Sequence, residues 1–221
     1  GRIAVQGGEV ETRVKFYTDL WHVLLGRHKI DDISGDYPTY MGEATGDGIV
    51  PLVVRSVPRG KKGNPKFHMY NSDALWLATW NLNVLWGLGW PEMLDEFSAC
   101  LVQYADNGGL LPRGPSGGGY TFIMAGCPAT SLITCAYQKE LLTKSDVEHA
   151  YETMKRNHLP GGMMGVNNFY IENGWSPERP GETVQWAFED WALAQMASKM
   201  GKTFDAKYFL KRSCGWPAHF N

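Results

Sequence analysis

The chain has 221 residues, which is enough for a sizeable hydrophobic core in one or two domains. Its formal net charge is −2, with 21 Lys and Arg against 23 Asp and Glu, so the charge does not support nucleic-acid binding. No apolar run reaches the roughly 18 residues of a membrane span. We therefore expect neither nucleic acid nor a membrane among its partners.

The spacing of apolar residues predicts a mostly helical chain. Apolar positions three and four residues apart recur in seven segments, and prolines or capping residues mark several of their starts. Pro91 takes the first position of its helix, and Pro128 either starts or kinks the helix that contains it. Ser145 or Asp146 caps the following helix, and Glu148 completes a capping box with Ser145. The seven predicted helices lie at 9–26, 72–88, 91–106, 128–142, 145–157, 181–200 and 204–213.

Three connections between these helices are long and rich in Gly and Pro. The first, at about 27–69, is irregular and lacks a helical period, although 49–57 could form a strand. The second, at 107–119, allows positive φ angles and a close approach of the backbone to a ligand. A flexible connection and a ligand loop both fit this second segment, and the absence of Gly-Lys-Ser/Thr excludes a P-loop. The third lies at 159–180.

The segment at 181–202 is the one around which the other predicted elements are arranged. Its apolar residues lie on most sides of a helix, which is typical of a helix that is buried on most sides. Polar side chains nevertheless interrupt it, and each costs about 1–3 kcal/mol if it is buried without a partner. The segment is therefore either an interior helix with a structural polar network or one wall of a site. These polar residues are Gln185, Glu189, Asp190 and Gln195.

Together these elements predict an all-α fold in which residues 1–221 form a single helical domain. Paired helices with aromatic inner members suggest an (α/α)6 toroid. A complete toroid needs about twelve helices of about 11–12 residues each, and this chain is too short to supply them. We therefore expect a fragment of a larger protein. The four cysteines form no CxxC pair and have no histidines at zinc spacing, so free thiols are the default expectation.

Four motifs, in order, resemble the sequence of a known enzyme family. From about 14 to 202 the chain is similar to family 92 of the glycoside hydrolases, the calcium-dependent exo-acting α-mannosidases. The motif around Asp73 resembles the one that holds the family's sugar-binding aspartate. The motif around Gln185 resembles the family helix that carries the general acid. The four motifs are FYTDLWHVLLG, NSDALW, NGGLLPRGPSGGGYTFIMAGCPATSLITCAY and ETVQWAFEDWALAQMASKMGK.

The resemblance implies an enzyme with an N-terminal β-sandwich and an (α/α)6 catalytic domain, with the site between them. It implies Ca²⁺ as the cofactor, with the calcium ligands and the paired aspartates of the base C-terminal to this stretch, so we assign no metal ligand here. The chain would supply one wall of the pocket, pack against the remaining domains of its own multidomain glycosidase, and be inactive alone. The expected partner is a mannose-containing glycan or mannosyl phosphodiester, and the expected localisation is secreted or extracellular.

Carried over residue by residue, the resemblance implies that Asp73 binds the sugar and that Gln185 stands at the general-acid position. The sequence departs from the family on both sides of Asp73, because Ser72 replaces a Trp and Trp76 replaces an Arg. Trp76 is kept as a substrate-binding candidate. Arg113, the only charge in the second Gly-rich connection, is a candidate contact for phosphate, since a guanidinium binds phosphate through two parallel N–H groups. The alternative is a solvated loop arginine.

Glutamine at the acid position favours a particular substrate. An amide donates hydrogen bonds but cannot give a proton to a departing sugar alkoxide. A phosphate leaves as a stable anion at pH 7 and needs no such proton, and a glutamate would repel it. Since family members that cleave mannose-1-phospho-6-mannose resemble this chain at Gln185, we expect part of an inverting exo-α-mannosidase that acts on this phosphodiester.

Two other functions stay open on the sequence. The chain could belong to an ordinary α-1,2-mannosidase of the same family, or it could be a non-catalytic helical module that binds sugar or a protein partner. Position distinguishes an enzyme from a module, because an enzyme needs the candidate residues to converge on one concave surface. These residues are Asp73, Trp76, Arg113 and Gln185.

Overall fold

A computed structural model describes residues 2–40, 50–72, 75–76 and 78–220 of the chain. Within these ranges the chain forms eight α-helices, which confirms the mostly helical prediction. Short 3₁₀ turns at Ala78–Trp80 and Trp216–His219 precede α2 and follow α8. The helices are α1 Val10–Leu24, α2 Leu82–Gly89, α3 Pro91–Gly108, α4 Ala129–Gln138, α5 Val147–Asn157, α6 Asn168–Asn173, α7 Pro180–Lys199 and α8 Thr203–Ser213.

Six short strands form three separate antiparallel pairs, two of which involve the connection at 27–69. This connection is therefore less irregular than predicted, because its start pairs with Tyr70–Asn71 and two segments inside it pair with each other. The strand predicted at 49–57 is present over its second half, and residues 41–49 lie outside the described ranges. The pairs are β1 His28–Lys29 with β4 Tyr70–Asn71, β2 Asp36–Thr39 with β3 Val53–Ser56, and β5 Gly114–Ser116 with β6 Gly119–Thr121.

The helix predicted at 72–88 begins late, and α2 starts only at Leu82. The backbone N–H of Ser72 donates to the carbonyl oxygen of Pro115 in β5, so this part of the chain pairs with the hairpin and not with its own next turn. The side chain of Asn81 then caps α2 by accepting from the N–H of Leu82. The prediction was wrong here because a contact with a distant segment outweighs the local helical pattern.

Two other helices differ from the sequence prediction at their ends, and one helix was not predicted. Pro128 marks the start of α4 and does not kink it, and α4 ends at Gln138 because Glu140 has a φ of +60°. Asp146, not Ser145, caps α5 by accepting from the N–H of His149 at 2.7 Å. The helix α6 lies inside the connection that was predicted as a loop at 159–180.

The helix α7 lies at the centre of the structure and packs against α4, α5 and α8. Its residues Trp186, Leu193 and Met196 are buried in the main hydrophobic core, together with Phe97 and Leu101 of α3. In contrast, none of the residues of α1 is buried. No helix in the described part of the chain has both the length and the apolar character that a membrane span requires.

Candidate functional site

Trp76 and Gln185 are in direct contact although 109 positions separate them in the sequence. The indole Nε1 of Trp76 donates to Oε1 of Gln185 at 3.2 Å. The Nε2 of Gln185 donates to Oε1 of Glu189, one turn further along α7, at 2.5 Å. Because an indole N–H can only donate, it identifies the amide atom facing it as the oxygen. The side-chain amide of Gln185 is thus held on both sides.

Glu189 is fully buried, and its second carboxyl oxygen, Oε2, accepts from the backbone N–H of Cys127 at 2.6 Å. Burial raises the pKa of this carboxyl to about 8, although the hydrogen bonds from Cys127 and Gln185 act in the opposite direction. We call Trp76, Gln185, Glu189 and the backbone N–H of Cys127 the Gln185 network. A pKa of about 8 is unusual for a glutamate, whose ordinary value is about 4.5.

Gly126 allows the backbone to pass directly over the carboxyl group of Glu189. Its φ is +72°, and a β-carbon at this position would overlap with both carboxyl oxygens of Glu189 and with Cγ of Gln185. Only glycine fits here, because residues with a side chain disfavour this positive φ and because a β-carbon has no room beside Glu189. This contact brings the N–H of Cys127 within reach of Glu189.

Arg113 holds the segment that contains Gly126. Its guanidinium donates to the carbonyl oxygens of Gly126 at 2.8 Å, Phe122 at 3.1 Å, Met124 at 2.8 Å and Met163 at 2.6 Å. Four of the five N–H groups of the guanidinium therefore donate to backbone carbonyl oxygens, and Arg113 is only partly exposed. A bidentate contact between Arg113 and phosphate would have to replace at least one of these bonds, and that contact stays a prediction.

The candidate residues are therefore brought together in part. Trp76 and Gln185 touch, and Arg113 is linked to them through the backbone of Gly126 and the carboxyl of Glu189. Asp73 lies outside the described residues. Sequence reasoning noted Glu189 as polar but gave it no role. The available signal was its position four residues after Gln185, which places both side chains on one face of the helix.

A second polar network surrounds Asp190, the residue after Glu189 on α7. Asp190 accepts from Nδ1 of His158 at 2.8 Å, from the hydroxyl of Tyr170 at 2.8 Å, and from Nε and a terminal nitrogen of Arg212. Burial acts to raise the pKa of Asp190, but the hydrogen bonds from Arg212 and His158 outweigh it and hold the pKa below its usual range. We call these four residues the Asp190 network. The Asp190 network is thus the structural polar network that the sequence offered as one explanation of the polar residues of α7.

The face of α7 beyond Gln185 is apolar and open. Phe188 stacks between Trp80 and Trp191, with ring centroids 5.6 Å and 5.9 Å away. Cavities of about 450 Å³ and 370 Å³ lie on either side of this aromatic row. The side chains of Trp80 and Trp191 are exposed in the chain as described. An exposed row of aromatic side chains is typical of a region that contacts another part of a protein or a ligand.

The described ranges contain no group of three or more His, Cys, Asp or Glu side chains that could hold a metal ion. The described residues thus offer no such cluster of ligands for the calcium that the resemblance implies. In the structure the four cysteines are free, with Cys100 and Cys127 buried and Cys214 exposed.

Comparison with known proteins identifies a family and a fold. The family model for the glycosyl hydrolase family 92 catalytic domain matches residues 1–221. A GH92 α-mannosidase from Bacteroides thetaiotaomicron superposes with a TM-score of 0.81 at 24% identity, over 98% of this chain and 27% of that one. The same α-mannosidase in complex with mannoimidazole gives a TM-score of 0.77 at 24% identity, over 95% and 26%.

A GH92 inverting mannosidase from Bacteroides thetaiotaomicron gives a TM-score of 0.78 at 21% identity, over 99% of this chain and 29% of that one. The chain thus spans somewhat more than a quarter of each of these solved structures. No curated protein matches the sequence. Together with the helical content, these similarities confirm the all-α, toroid-type fold.

Proposed function

This chain belongs to glycosyl hydrolase family 92, and on this premise we propose that it forms one wall of the active site of an inverting exo-α-mannosidase. The observation that carries the proposal is the Gln185 network, which holds a side-chain amide at the position that corresponds to the general acid in the family motif. The contact between Trp76 and Gln185 also argues against the non-catalytic module, which does not require them to meet.

The substrate that we propose is a mannose-1-phospho-6-mannose phosphodiester. An inverting glycosidase uses a carboxylic acid to protonate the leaving oxygen and a carboxylate to activate water. The amide of Gln185 cannot supply that proton, which is worth about 10²–10⁴-fold in rate for a sugar leaving group. A phosphate leaving group does not need it, so glutamine is tolerated at this position only when the departing oxygen is a weak base.

The proposed reaction breaks the bond between C1 of mannose and the phosphate oxygen. A water molecule attacks C1 from the opposite face. One of its protons stays on the new hydroxyl group of mannose, and the other goes to a base that we place outside this chain. Mannose is released with inverted configuration, and mannose 6-phosphate departs with the bonding electron pair on its phosphate. Gln185 donates a hydrogen bond to the departing phosphate, because an N–H next to a developing negative charge lowers its energy.

The remaining candidates contribute to binding in this proposal. Asp73 accepts hydrogen bonds from mannose hydroxyls, and the exposed ring of Trp76 offers an aromatic surface beside Gln185. Arg113 is the candidate for the phosphate, but only one of its N–H groups is unoccupied, so a bidentate contact would require it to give up a carbonyl contact. We consider that Arg113 acts first by shaping the segment around Gly126.

The rest of the enzyme supplies what the chain lacks. We propose calcium dependence for the complete protein, with ligands outside the described residues, and a secreted or extracellular location. The open aromatic face of α7, with Trp80 and Trp191, is the surface that we expect to pack against the other domains of the same enzyme.

The test is an assay of the full-length protein on two substrates, mannose-1-phospho-6-mannose and α-1,2-mannobiose. The expected result is release of β-mannose, detected by proton NMR before mutarotation, with the larger kcat/KM on the phosphodiester. A preference for mannobiose would assign the chain to an ordinary α-1,2-mannosidase. Absence of turnover on both substrates in the presence of calcium would overturn the enzyme proposal.

A further inference from the structure

We propose that Glu189 is a positioning residue that fixes the side-chain amide of Gln185 in one orientation, with its oxygen toward Trp76 and its nitrogen toward Glu189. Glu189 has no exposed surface, so it acts on a substrate only through Gln185. The proposal rests on the proposed function in one respect, namely that Gln185 faces the leaving group. The orientation of the amide can be tested independently of that function.

The carboxyl group of Glu189 is held from two sides. Its Oε1 accepts from Gln185 at 2.5 Å and its Oε2 accepts from the backbone of Cys127 at 2.6 Å. Gly126 has no side chain and packs directly against the same carboxyl. The carboxyl is therefore a fixed point in the structure, and the amide of Gln185 must adjust to it.

The pairing of donors and acceptors permits one orientation of the amide when Glu189 is ionised. The Gln185 network begins with the backbone N–H of Cys127 and ends with the indole N–H of Trp76, and both groups can only donate. Between them Glu189 accepts twice, while Gln185 donates through nitrogen and accepts through oxygen. Turning the amide over would place Nε2 against the indole N–H and Oε1 against a carboxylate oxygen. Both contacts would then be lost.

Protonation of Glu189 weakens this preference. A protonated carboxyl can donate to Oε1 of Gln185, so the turned amide then loses only the contact with Trp76. Among the charged groups that act on Glu189, Asp190 favours its protonation and Arg113 opposes it, while burial has the largest influence and favours it. The amide is thus held most firmly at pH values above about 8, where the carboxyl is ionised.

The orientation decides what the amide offers to a substrate. In the observed orientation one N–H of Gln185 is bound to Glu189, and its second N–H has no acceptor among the described residues. This N–H is the donor available to an oxygen of the leaving group. If the amide turns over, the substrate meets a different atom at the same place, and the hydrogen bond to the departing oxygen is lost.

The test compares Glu189→Gln with Glu189→Asp in the full-length protein. Glutamine keeps the size of the side chain, but its oxygen must face the N–H of Cys127, so its NH₂ group faces Gln185 and forces the amide to turn over. Aspartate leaves a larger packing defect but keeps two acceptor oxygens. If Glu189 positions the amide, kcat on mannose-1-phospho-6-mannose falls about tenfold or more in Glu189→Gln and less in Glu189→Asp. If Glu189 only fills space, the order is reversed.

Tyr170→Phe is the matched control. It removes one buried hydrogen bond from Asp190, the next residue on α7, and leaves the Gln185 network intact. We expect Tyr170→Phe to lower the Tm while kcat stays near the wild-type value. A loss of kcat equal to that of Glu189→Gln would show that general loosening of α7 explains both results, and this would overturn the proposal.

A crystal structure of Glu189→Gln provides a readout that needs no turnover. We expect the indole Nε1 of Trp76 to move beyond hydrogen-bond distance of the Gln185 amide, from 3.2 Å to more than about 3.5 Å. An unchanged contact overturns the proposal even if no mannoside is cleaved. If Glu189→Gln does not fold, a crystal structure of Trp76→Phe decides the matter. If Glu189 positions the amide, Gln185 stays within about 3.5 Å of Oε1 of Glu189 without Trp76, and loss of this contact overturns the proposal.

Discussion

Gly126 and Glu189 lie so close together that no β-carbon fits between the backbone of the first and the carboxyl of the second. The two residues come from different parts of the chain, and their contact joins the segment between β6 and α4 to the centre of α7. The N–H of the next residue, Cys127, depends on this approach for its bond to the carboxyl. The candidate site is therefore built on a glycine that the fold requires.

Gly126→Ala should destabilise the protein more than Gly161→Ala. Both glycines have positive φ, +72° and +80°, so both substitutions carry a backbone strain of roughly 1–2 kcal/mol. At position 161 nothing lies within 4 Å of the new β-carbon, whereas at 126 it displaces Glu189 and breaks its hydrogen bonds. We expect about 1–3 kcal/mol of additional loss at 126. Equal changes in the unfolding free energy, measured by urea titration, would contradict the close contact.

Gln185→Glu should shift the substrate preference of the full-length enzyme. The new carboxyl would face Glu189, and two carboxyls at this distance share one proton, so the pair retains a proton at neutral pH. The remaining oxygens of the two carboxyls can still accept from the indole N–H of Trp76 and the backbone N–H of Cys127, the donors at the two ends of the Gln185 network. Activity on α-1,2-mannobiose should rise and activity on mannose-1-phospho-6-mannose should fall, because a partly charged pair repels phosphate.

The measurement for Gln185→Glu is the ratio of kcat/KM on the two substrates. We expect the ratio to change by about 10²-fold, the lower end of what general acid catalysis contributes. The double variant Gln185→Glu with Glu189→Gln serves as control, since it has no second carboxyl to share the proton and should show a smaller rise on mannobiose. An unchanged ratio in the single variant would mean that Gln185 does not stand at the acid position.

The stability of the protein should depend on pH through Glu189. Its pKa is about 8 in the folded protein against 4.5 for an ordinary glutamate, so the folded state binds a proton more tightly than the unfolded state. This contribution is complete below about pH 4.5 and is lost as the pH rises through 8. Relative to Glu189→Gln, the wild type should lose up to about 1.4 kcal/mol of unfolding free energy per pH unit in that window.

The neighbouring carboxyl, Asp190, should not contribute to the pH dependence in this window. The pKa of Asp190 lies below the ordinary value of 3.8, so its contribution is lost only when the pH falls further. Parallel urea titrations of wild type and Glu189→Gln between pH 5 and 9 isolate the Glu189 term, because all other groups are common to both. Parallel curves with a constant offset would show that Glu189 is ionised throughout.

Arg113→Lys should lower stability before it lowers substrate binding. A lysine supplies a compact ammonium in place of the planar fork and cannot reach four carbonyl oxygens on three sides. At about 0.5–1.5 kcal/mol for each lost bond, we expect about 2–4 kcal/mol of destabilisation. Arg179→Lys, an exposed arginine paired with Glu182, is the control and should change stability little. If Arg113 instead serves mainly as a phosphate contact, kcat/KM on the phosphodiester falls while the Tm stays unchanged.

The sequence was sufficient wherever local chemistry decides the structure. Pro91 and Pro128 mark the starts of α3 and α4, and the helical pattern locates α7 to within a residue at each end. The start of α2 was missed because Ser72 bonds to Pro115, more than forty positions away, and no local pattern carries such a contact. The 3.6-residue period indicates a helix, but it does not indicate which distant strand will form hydrogen bonds with the backbone of that segment.

The site was predictable to a similar extent. The motif around Gln185 gives its position on α7, but its partners come from elsewhere in the chain: Trp76 approaches from 109 positions away and the N–H of Cys127 meets Glu189 across 62. The role of Arg113 could not be inferred, because four carbonyl oxygens that look ordinary in sequence become its partners only after folding.

Glu189 and Asp190 are neighbours on α7, but they belong to two networks with separate partners. The Asp190 network ties α7 to α5, α6 and α8, while the Gln185 network meets the site. A replacement on one of them therefore leaves the other in place. Under the proposed function, such a division makes the helix evolvable: a lineage can exchange acid for amide at 185, and with it one leaving group for another, without having to find a new way to fold.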